Sequence, residues 1–418
     1  MKLLGYQKNA YELIKDGYNV FITGSSGTGK SSIIKKIVKD NKSNYYNKNI
    51  VVTSTTGASA IIIGGVTIHS YLGIGLGKDE LYKLYNKIIK KKWIMKRWLD
   101  IEILVIDEVS MLSHLLFDKI EELARLIRDS EEPFGGIQLV ITGDWCQLPC
   151  VNSDKFCFEA KSWDRCIQKV VYLEKIIRQN NIEFQRCLNK IRVGNIDEEV
   201  IKILESRIGK KLENDSNILP TKLFSLRSNV SYINDIELDK LAIDGRQFNE
   251  YKPQIRILDD SKRKTMENIQ RQSKITPIQL CVGAQVMLSI NLDFENKLIN
   301  GSRGIVTKFV GDLPSVKFIN GLERVIDFCK IKNYIDNQII GYITYIPLKV
   351  AFAISIHSCQ GSTLDYVEID LSNIFEYGQA YVALSRIKNI DGLSITNLKP
   401  NLIKAHPKAI EYYKNIKK

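Results

Sequence analysis

No apolar run in the 418 residues approaches the ~20 needed to cross a bilayer, so the sequence offers no membrane span. The opening stretch, MKLLGYQKNAYELIKDGYN, lacks the apolar core of a secretory leader. The eight cysteines contain no C-x-x-C pair. Cys146, Cys150, Cys157 and Cys166 form a loose group, but their irregular spacing suits no metal or iron–sulfur site. They read as free thiols of a reducing compartment. Repeats and low-complexity tracts are absent as well. What remains, 44% apolar and 26% charged residues, is ordinary for a soluble globular protein. The expected location is intracellular: cytoplasm, nucleus or a viral replication compartment. The net charge of +13 favours a polyanionic partner, since cationic grooves concentrate phosphate backbones. An AT-rich genome would give the same lysine-rich composition, and charge alone does not separate the two readings.

At about 150 residues per domain, the length allows two to four domains. Four short apolar runs, Tyr18 to Thr23, Asn49 to Ser54, Ile101 to Ile106 and Ile137 to Thr142, each fit a buried parallel strand. Between the last two, Leu116, Ile120, Leu123 and Ile127 fall on one helical face. Alternating strands and helices predict a doubly wound α/β domain over 1–175, with ligands beyond the carboxyl ends of its strands. From about Lys274 to Ile346 the texture changes to short β-rich runs separated by turn residues, a small antiparallel barrel or sandwich. After Pro347 the α/β pattern returns, with VEIDL and GLSIT as strands and Gln379 to Leu384 as a helix. The expected scheme is a second α/β domain over 176–245 and 346–418, with a β domain inserted at 246–345. The lysine-rich stretch Lys78 to Arg97 reads first as a solvated helix face and only second as a DNA-facing one.

Gly24-Ser25-Ser26-Gly27-Thr28-Gly29-Lys30-Ser31 fits G-x-x-x-x-G-K-[ST] between a predicted strand and a predicted helix, the context of a phosphate-binding loop. Its glycines let backbone N–H groups wrap phosphates, with the helix dipole adding to the attraction. Lys30 is expected on the β- and γ-phosphates of ATP and Ser31 on Mg²⁺. Leu104 to Glu108 is an apolar strand ending in two acids: Asp107 to hold Mg²⁺ through its water shell, and Glu108 to polarise the attacking water. Adjacent acids also open ordinary helices, so it is the pairing with the P-loop that points to a hydrolase. Gln147, in Thr142 to Pro149 after the next strand, is placed to sense the γ-phosphate or orient the water. Arg178 and Arg386 are candidate fingers for charge on the transferring phosphate; taken singly, either reads as surface arginine.

Together these segments resemble the petite-integration-frequency (Pif-type) family of superfamily 1B DNA helicases, over nearly the whole chain. Gln7 resembles the family's adenine-reading glutamine. Thr55 to Ala60 and Gly65 to Ser70 resemble its DNA-contacting motifs; Asp107 to Met111 and Gly143 to Pro149 resemble its second and third motifs. Asp118 to Arg128 followed by Pro133 to Leu139 resembles the stretch that separates the family from RecD-like motors. Arg178 to Gly194 is similar to the fourth motif and Asn300 to Gly304 to the entry into its small β domain. Pro347 to Leu371 and Gly378 to Arg386 resemble the fifth and sixth motifs.

The resemblance implies two RecA-like domains, an SH3-like inserted domain and a small wedge near 71–100. It implies Mg²⁺–ATP-dependent movement 5′ to 3′ on single-stranded DNA, with forked or 5′-tailed duplexes as substrates in replication, repair or recombination. Gln360 and Gly361 join the ATP site. Thr56, Gly57, His69, Tyr71, His357 and Thr363 are the expected DNA contacts, held mainly through phosphates. The family's His-Lys-Ser-Gln-Gly becomes His357-Ser358-Cys359-Gln360-Gly361 here, so a lysine contact is replaced at Ser358. The position of Gln7 implies a chain that is little more than a motor core. A non-enzymatic DNA-binding scaffold would have lost the catalytic set, which is complete here. A P-loop kinase would not need the Arg386 motif.

Overall fold

A computed structural model describes residues 3–42, 48–212, 218–273, 275–290, 292–293, 295–296, 298, 301–335 and 338–416. Lys274 and Asn300 lie outside the described residues. By compactness the chain forms two units, 1–210 with 356–418, and 211–355. This grouping differs from the division expected from sequence, because 356–418 packs with the P-loop region.

The first unit opens with α1 (Gly5–Lys15), β1 (Val20–Gly24), α2 (Lys30–Lys42), β2 (Ile50–Ser54), α3 (Gly57–Ile62), β3 (Val66–Thr67) and α4 (Ile68–Leu72). It continues through α5 (Leu81–Ile89), α6 (Lys92–Asp100), β4 (Ile103–Asp107), α7 (His114–Arg128), β5 (Gln138–Gly143), α8 (Trp163–Cys166) and β6 (Lys169–Leu173). Next come α9 (Ile182–Arg192) and α10 (Glu198–Glu205). The six strands form one parallel sheet in the order β3-β2-β4-β5-β1-β6.

Every residue of β1, β4 and β5 is buried, which is why they read as unbroken apolar runs. The pleat sends alternate side chains to opposite faces. Phe21, Leu104, Ile106, Leu139 and Ile141 enter a core with α4 to α7. Val20, Ile22, Ile103, Val105 and Val140 enter the other with α1 and α2. Hydroxyls tie the strand ends together: Thr53 Oγ1 donates to Val105 O (2.6 Å), Ser54 Oγ to Asp107 O (3.1 Å) and Thr23 Oγ1 to Gly143 O (2.9 Å).

Helix α7 runs as its periodicity predicts, capped by Ser113, whose Oγ accepts from Leu116 N. The 3-10 turn Pro133–Gly136 seats Phe134, fully buried at φ 53°, against Phe117 with ring centroids 5.2 Å apart. Arg128 donates to the carbonyls of Gly135, Trp98, Leu99 and Ile101. The stretch most specific to the resembled family is therefore structural, joining α6, α7 and β5. Residues 71–100 carry Leu84, Ile88, Ile94 and Trp98 into the core, while Lys83 and Lys87 pair with Asp79 on the outer side.

The second unit contains β7 (Thr221–Phe224), α11 (Arg227–Ile243), β8 (Asn249–Tyr251), β9 (Gln254–Ile257), α12 (Arg263–Ser273), β10 (Ile278–Leu280) and β11 (Gln285–Leu288). It ends with β12 (Arg303–Val310), β13 (Leu313–Phe318), β14 (Glu323–Val325), β15 (Cys329–Ile335), β16 (Gln338–Tyr345), β17 (Leu348–Val350) and β18 (Ala353–Ser355). The predicted β-rich texture is realised as antiparallel sheets, β14-β13-β12-β11-β17, β15-β16-β9 and β10-β8. β7 and β18 pair in parallel. Rejoining the first unit, β19 (Val367–Leu371) and β20 (Leu393–Leu398) are a parallel pair, with α13 (Gln379–Ser385) between them and α14 (Pro407–Ile416) after them. α14 buries Ala409 and Tyr413 in the core that holds Phe21.

Candidate active site

The loop Gly24–Ser31 leaves the carboxyl end of β1 and opens α2. At Gly24, φ is 142° and a Cβ would collide with the Leu173 carbonyl of β6, so only glycine fits. Lys30 folds over the loop, donating to Gly24 O (2.7 Å) and Ser25 O (3.0 Å). Burial lowers its pKa from the ordinary lysine value against the pull of Asp144 and Glu108. Gln7 lies against the loop: Nε2 donates to Thr28 O (2.9 Å) and Oε1 accepts from Leu4 N (3.0 Å).

Asp107 ends β4, and Thr142 donates to its carboxylate from β5. Burial and the neighbouring Glu108 push the Asp107 pKa up to about 7. Glu108 has a left-handed backbone (φ 55°, ψ 45°), rare and costly for a residue with a side chain, and a form of strain that clusters at functional sites. Its carbonyl accepts from Thr55 Oγ1 (2.9 Å) and its carboxylate from Gln360 Nε2 (3.1 Å). A side chain at Gly361 would sit 3.4 Å from Ser59 Oγ and 3.9 Å from Glu108 Oε1. Gln360 thus meets the carboxylate of Glu108, with Gly361 next to it in the chain. Gln147 is buried, and its Oε1, like that of Gln360, has no hydrogen-bond partner among the described residues. A dry acceptor of this kind costs about 1–3 kcal/mol, and a positioned water would satisfy it.

Arg178 and Arg386 converge on one atom. Arg178 Nη1 lies 3.1 Å and Arg386 Nη2 2.6 Å from Ser26 Oγ. Their other acceptors are Ser385 O for Arg178, and Val382 O and Ser385 Oγ for Arg386. Burial and the adjacent Arg386 lower the Arg178 pKa to about 9. Tyr381 OH accepts from Ser26 N (2.7 Å). Two guanidiniums held by neutral acceptors beside a P-loop are an anion site in the making.

The donor chemistry suits Mg²⁺. Ser31 and Asp107 carry hard oxygen donors, and a dication would relieve the electrostatic stress on Asp107. Among the described residues no cluster of three or more His, Cys, Asp or Glu could hold a metal alone.

The expected DNA contacts lie on separate elements. Thr56 caps α3, accepting from Ser59 N (3.2 Å), with Gly57 exposed beside it. His69 and Tyr71 are half-buried on α4, and burial lowers the His69 pKa. The Arg97 guanidinium lies 5.2 Å from the Tyr71 ring centroid and 4.4 Å from that of Trp93. His357 is half-buried, and Ser358 and Thr363 are exposed. Cys359 turns inward, its Sγ donating to Ile356 O (3.1 Å). Cys146, Cys157 and Cys166 are free thiols in the aromatic core, and Cys150 is a half-buried one.

Sequence reasoning passed over Ser26, Tyr381 and a buried group around Asp144. Arg192, the last residue of α9, grips Asp144 through Nη2 (2.7 Å) and Nε (3.0 Å), and both side chains are almost wholly buried. Burial raises the Asp144 pKa and Arg192 outweighs it, leaving the carboxyl below its ordinary value. An arginine at a core-facing helical position was the available signal; its partner, 48 residues away, was not.

A family model described as PIF1-like helicase matches residues 2–202, and one for the DNA helicase Pif1 2B domain matches 276–309. The ATP-dependent DNA helicase PIF1 of Xenopus laevis is 38% identical, over 100% of this chain and 65% of its own length. The chain thus spans a little under two thirds of that relative. The crystal structure of Pif1 helicase from Candida albicans superposes with a TM-score of 0.86 at 33% identity, covering 100% of both chains. Pif1 helicase from Bacteroides in complex with ADP-AlF3 and single-stranded DNA gives 0.73 at 28% identity, covering 100% of this chain and 98% of that one.

Proposed function

The chain belongs to the PIF1-like helicase family, and from that premise we propose that it is an ATP-dependent DNA helicase moving 5′ to 3′ on single-stranded DNA. The observation that carries the proposal is the convergence of Arg178 and Arg386 on Ser26 Oγ in the P-loop. Two cations, Arg386 buried and Arg178 half-buried, whose hydrogen-bond acceptors among the described residues are neutral, are poised to gain an anion. The proposed domain scheme is RecA-like over 1–175, with a wedge near 71–100, RecA-like over 176–245 and 346–418, and an SH3-like insertion at 246–345.

In this reading Lys30 exchanges the Gly24 and Ser25 carbonyls for the β- and γ-phosphates of ATP. Gln7 reads the adenine, and the amides of Gly27, Thr28 and Gly29 cradle phosphate oxygens. Ser31 and Asp107 would hold Mg²⁺, which would supply positive charge to the phosphates of ATP. Glu108 orients water and takes its proton as the water oxygen attacks γ-phosphorus and the bond to the β-phosphate oxygen breaks. Gln147 accepts a hydrogen bond from the same water. Arg178 and Arg386 turn from Ser26 Oγ to the phosphoryl oxygens, so the 356–418 segment responds to whether the phosphate is present. Such a response drives motion because each ligand state prefers a different arrangement. Thr56, Gly57, His69, Tyr71, His357 and Thr363 contact DNA. Forked and 5′-tailed duplexes are the substrates, in replication, repair or recombination inside the cell.

The test is ATP turnover with and without single-stranded DNA, followed by unwinding of duplexes tailed at either end. DNA-stimulated turnover with only the 5′-tailed duplex opened is the expected result. Turnover indifferent to DNA ends the motor reading, and opening of the 3′-tailed duplex reverses the polarity.

A further inference from the structure

α14 places one hydroxyl where the carboxyl ends of β1 and β5 meet. Tyr413 OH lies 2.6 Å from Thr23 Oγ1, 3.0 Å from Trp145 N and 3.1 Å from Asp144 Oδ1. Thr23 and Gly143 are register partners in β1 and β5. The Thr23 hydroxyl gives its proton to Gly143 O, and Trp145 N–H donates to the phenol oxygen. The phenol proton therefore goes to Thr23 Oγ1 or to the Asp144 carboxylate. The Arg192 guanidinium closes the other side, 4.2 Å from the Tyr413 ring centroid, while gripping Asp144.

Each of the two strands runs directly into a working part of the ATP site. The P-loop starts at Gly24, one residue after Thr23. Gln147 N donates to Asp144 O (3.0 Å), so the turn carrying Gln147 is built on Asp144. We infer that Tyr413 is a positioning residue for ATP hydrolysis, its hydroxyl fixing the Gln147 turn at the end of β5 relative to the P-loop at the end of β1. The inference rests on the ATPase reading above. Among the described residues the Tyr413 hydroxyl bonds Thr23, Trp145 and Asp144, and no hydrogen bond joins it to the P-loop amides or Lys30. Its removal spares ground-state ATP binding and disturbs the alignment of water and γ-phosphate, where small displacements are costly.

Tyr413→Phe removes the hydroxyl and keeps the ring under Arg192. With the full chain, steady-state ATP turnover on single-stranded DNA is measured well below the unfolding temperature. The expected result is a fall in kcat of about tenfold with KM for ATP within about twofold. A role confined to stability lowers the unfolding midpoint and leaves kcat unchanged, and that outcome overturns the inference. Thr23→Val cuts the same link from the other side and keeps the question open to test should the first variant not fold. The two losses should not multiply in the double variant, since both changes break the Thr23–Tyr413 bond. Multiplying losses also overturn the inference. Wild-type turnover with an unaffected Tyr413→Phe variant refutes the positioning role alone, whereas a wild-type chain that does not hydrolyse ATP refutes the enzymatic reading and this inference together.

Discussion

Replacing Arg192 by Leu probes the most deeply buried ion pair beside the P-loop. Its Nη2 and Nε bond Asp144 at 2.7 and 3.0 Å, with side-chain exposures of 4% and 0%. Removing one partner leaves the other charge buried and unpaired, at a cost of about 3–5 kcal/mol. For a unit of this size that corresponds to a fall of roughly 10 °C in the unfolding midpoint, at about 2–4 °C per kcal/mol. The pH dependence tests the cause. In the wild type the Asp144 pKa is depressed, so its contribution is present above the unfolded value near 4 and is lost as pH falls through the folded value. In Arg192→Leu burial is opposed only by Lys30 and the Cys146 amide, so the carboxyl pKa rises and the variant's deficit shrinks as pH falls through it. Calorimetry from pH 8 to pH 5 should therefore show the gap between the two proteins narrowing. The double variant Asp144→Leu with Arg192→Leu should regain most of the stability, since an apolar pair can replace a buried ion pair at little cost, yet hydrolyse ATP poorly because the carboxylate that accepts from Cys146 N and Tyr413 OH in the Gln147 turn is gone. A single variant that costs less than about 1 kcal/mol, or a gap that does not change with pH, refutes the argument.

Lys30→Ala should abolish ATP turnover while the circular dichroism spectrum stays unchanged; retained DNA-stimulated turnover removes the P-loop from the mechanism. Arg178→Ala and Arg386→Ala should each lower kcat by about 10³-fold, as fingers on the transferring phosphate do, with DNA binding measured by anisotropy preserved. Phe134→Ala should cost about 3–5 kcal/mol in a denaturant titration by emptying the space beside Phe117, with kcat near wild type at low temperature.

The parts legible in the sequence are those whose causes are local. β1, β2, β4 and β5 are apolar on both faces or nearly so, and α7 carries its stripe within fifteen residues. The P-loop, Asp107 and Glu108 lie at strand ends and could be placed from those alone. The edge strand β6, with two exposed residues in five, has no continuous run to announce it. Likewise β8, β9 and α12, between 249 and 273, fall short of the β-rich texture that marked the inserted region. Arg192 and Tyr413 were invisible as site residues because their partners, Asp144 and Thr23, are brought to them only by the packing of α9 and α14. Ser26 was legible as a loop residue, but not as the acceptor of two arginines more than 150 and 350 positions away.

The hydroxyls at the strand ends also guard the sheet against slippage. A strand with one wet face cannot slide by one residue without exposing its apolar side chains. β1 and β4 lack that safeguard, since a slip would merely trade one aliphatic side chain for another. Frame information in this sheet must come from elsewhere, and Thr23, Thr53, Ser54 and Thr142 supply it, each bonding the neighbouring strand at the carboxyl edge. The interior is thus free to drift among Val, Ile and Leu, while a handful of small polar residues keeps the reading frame of the catalytic edge.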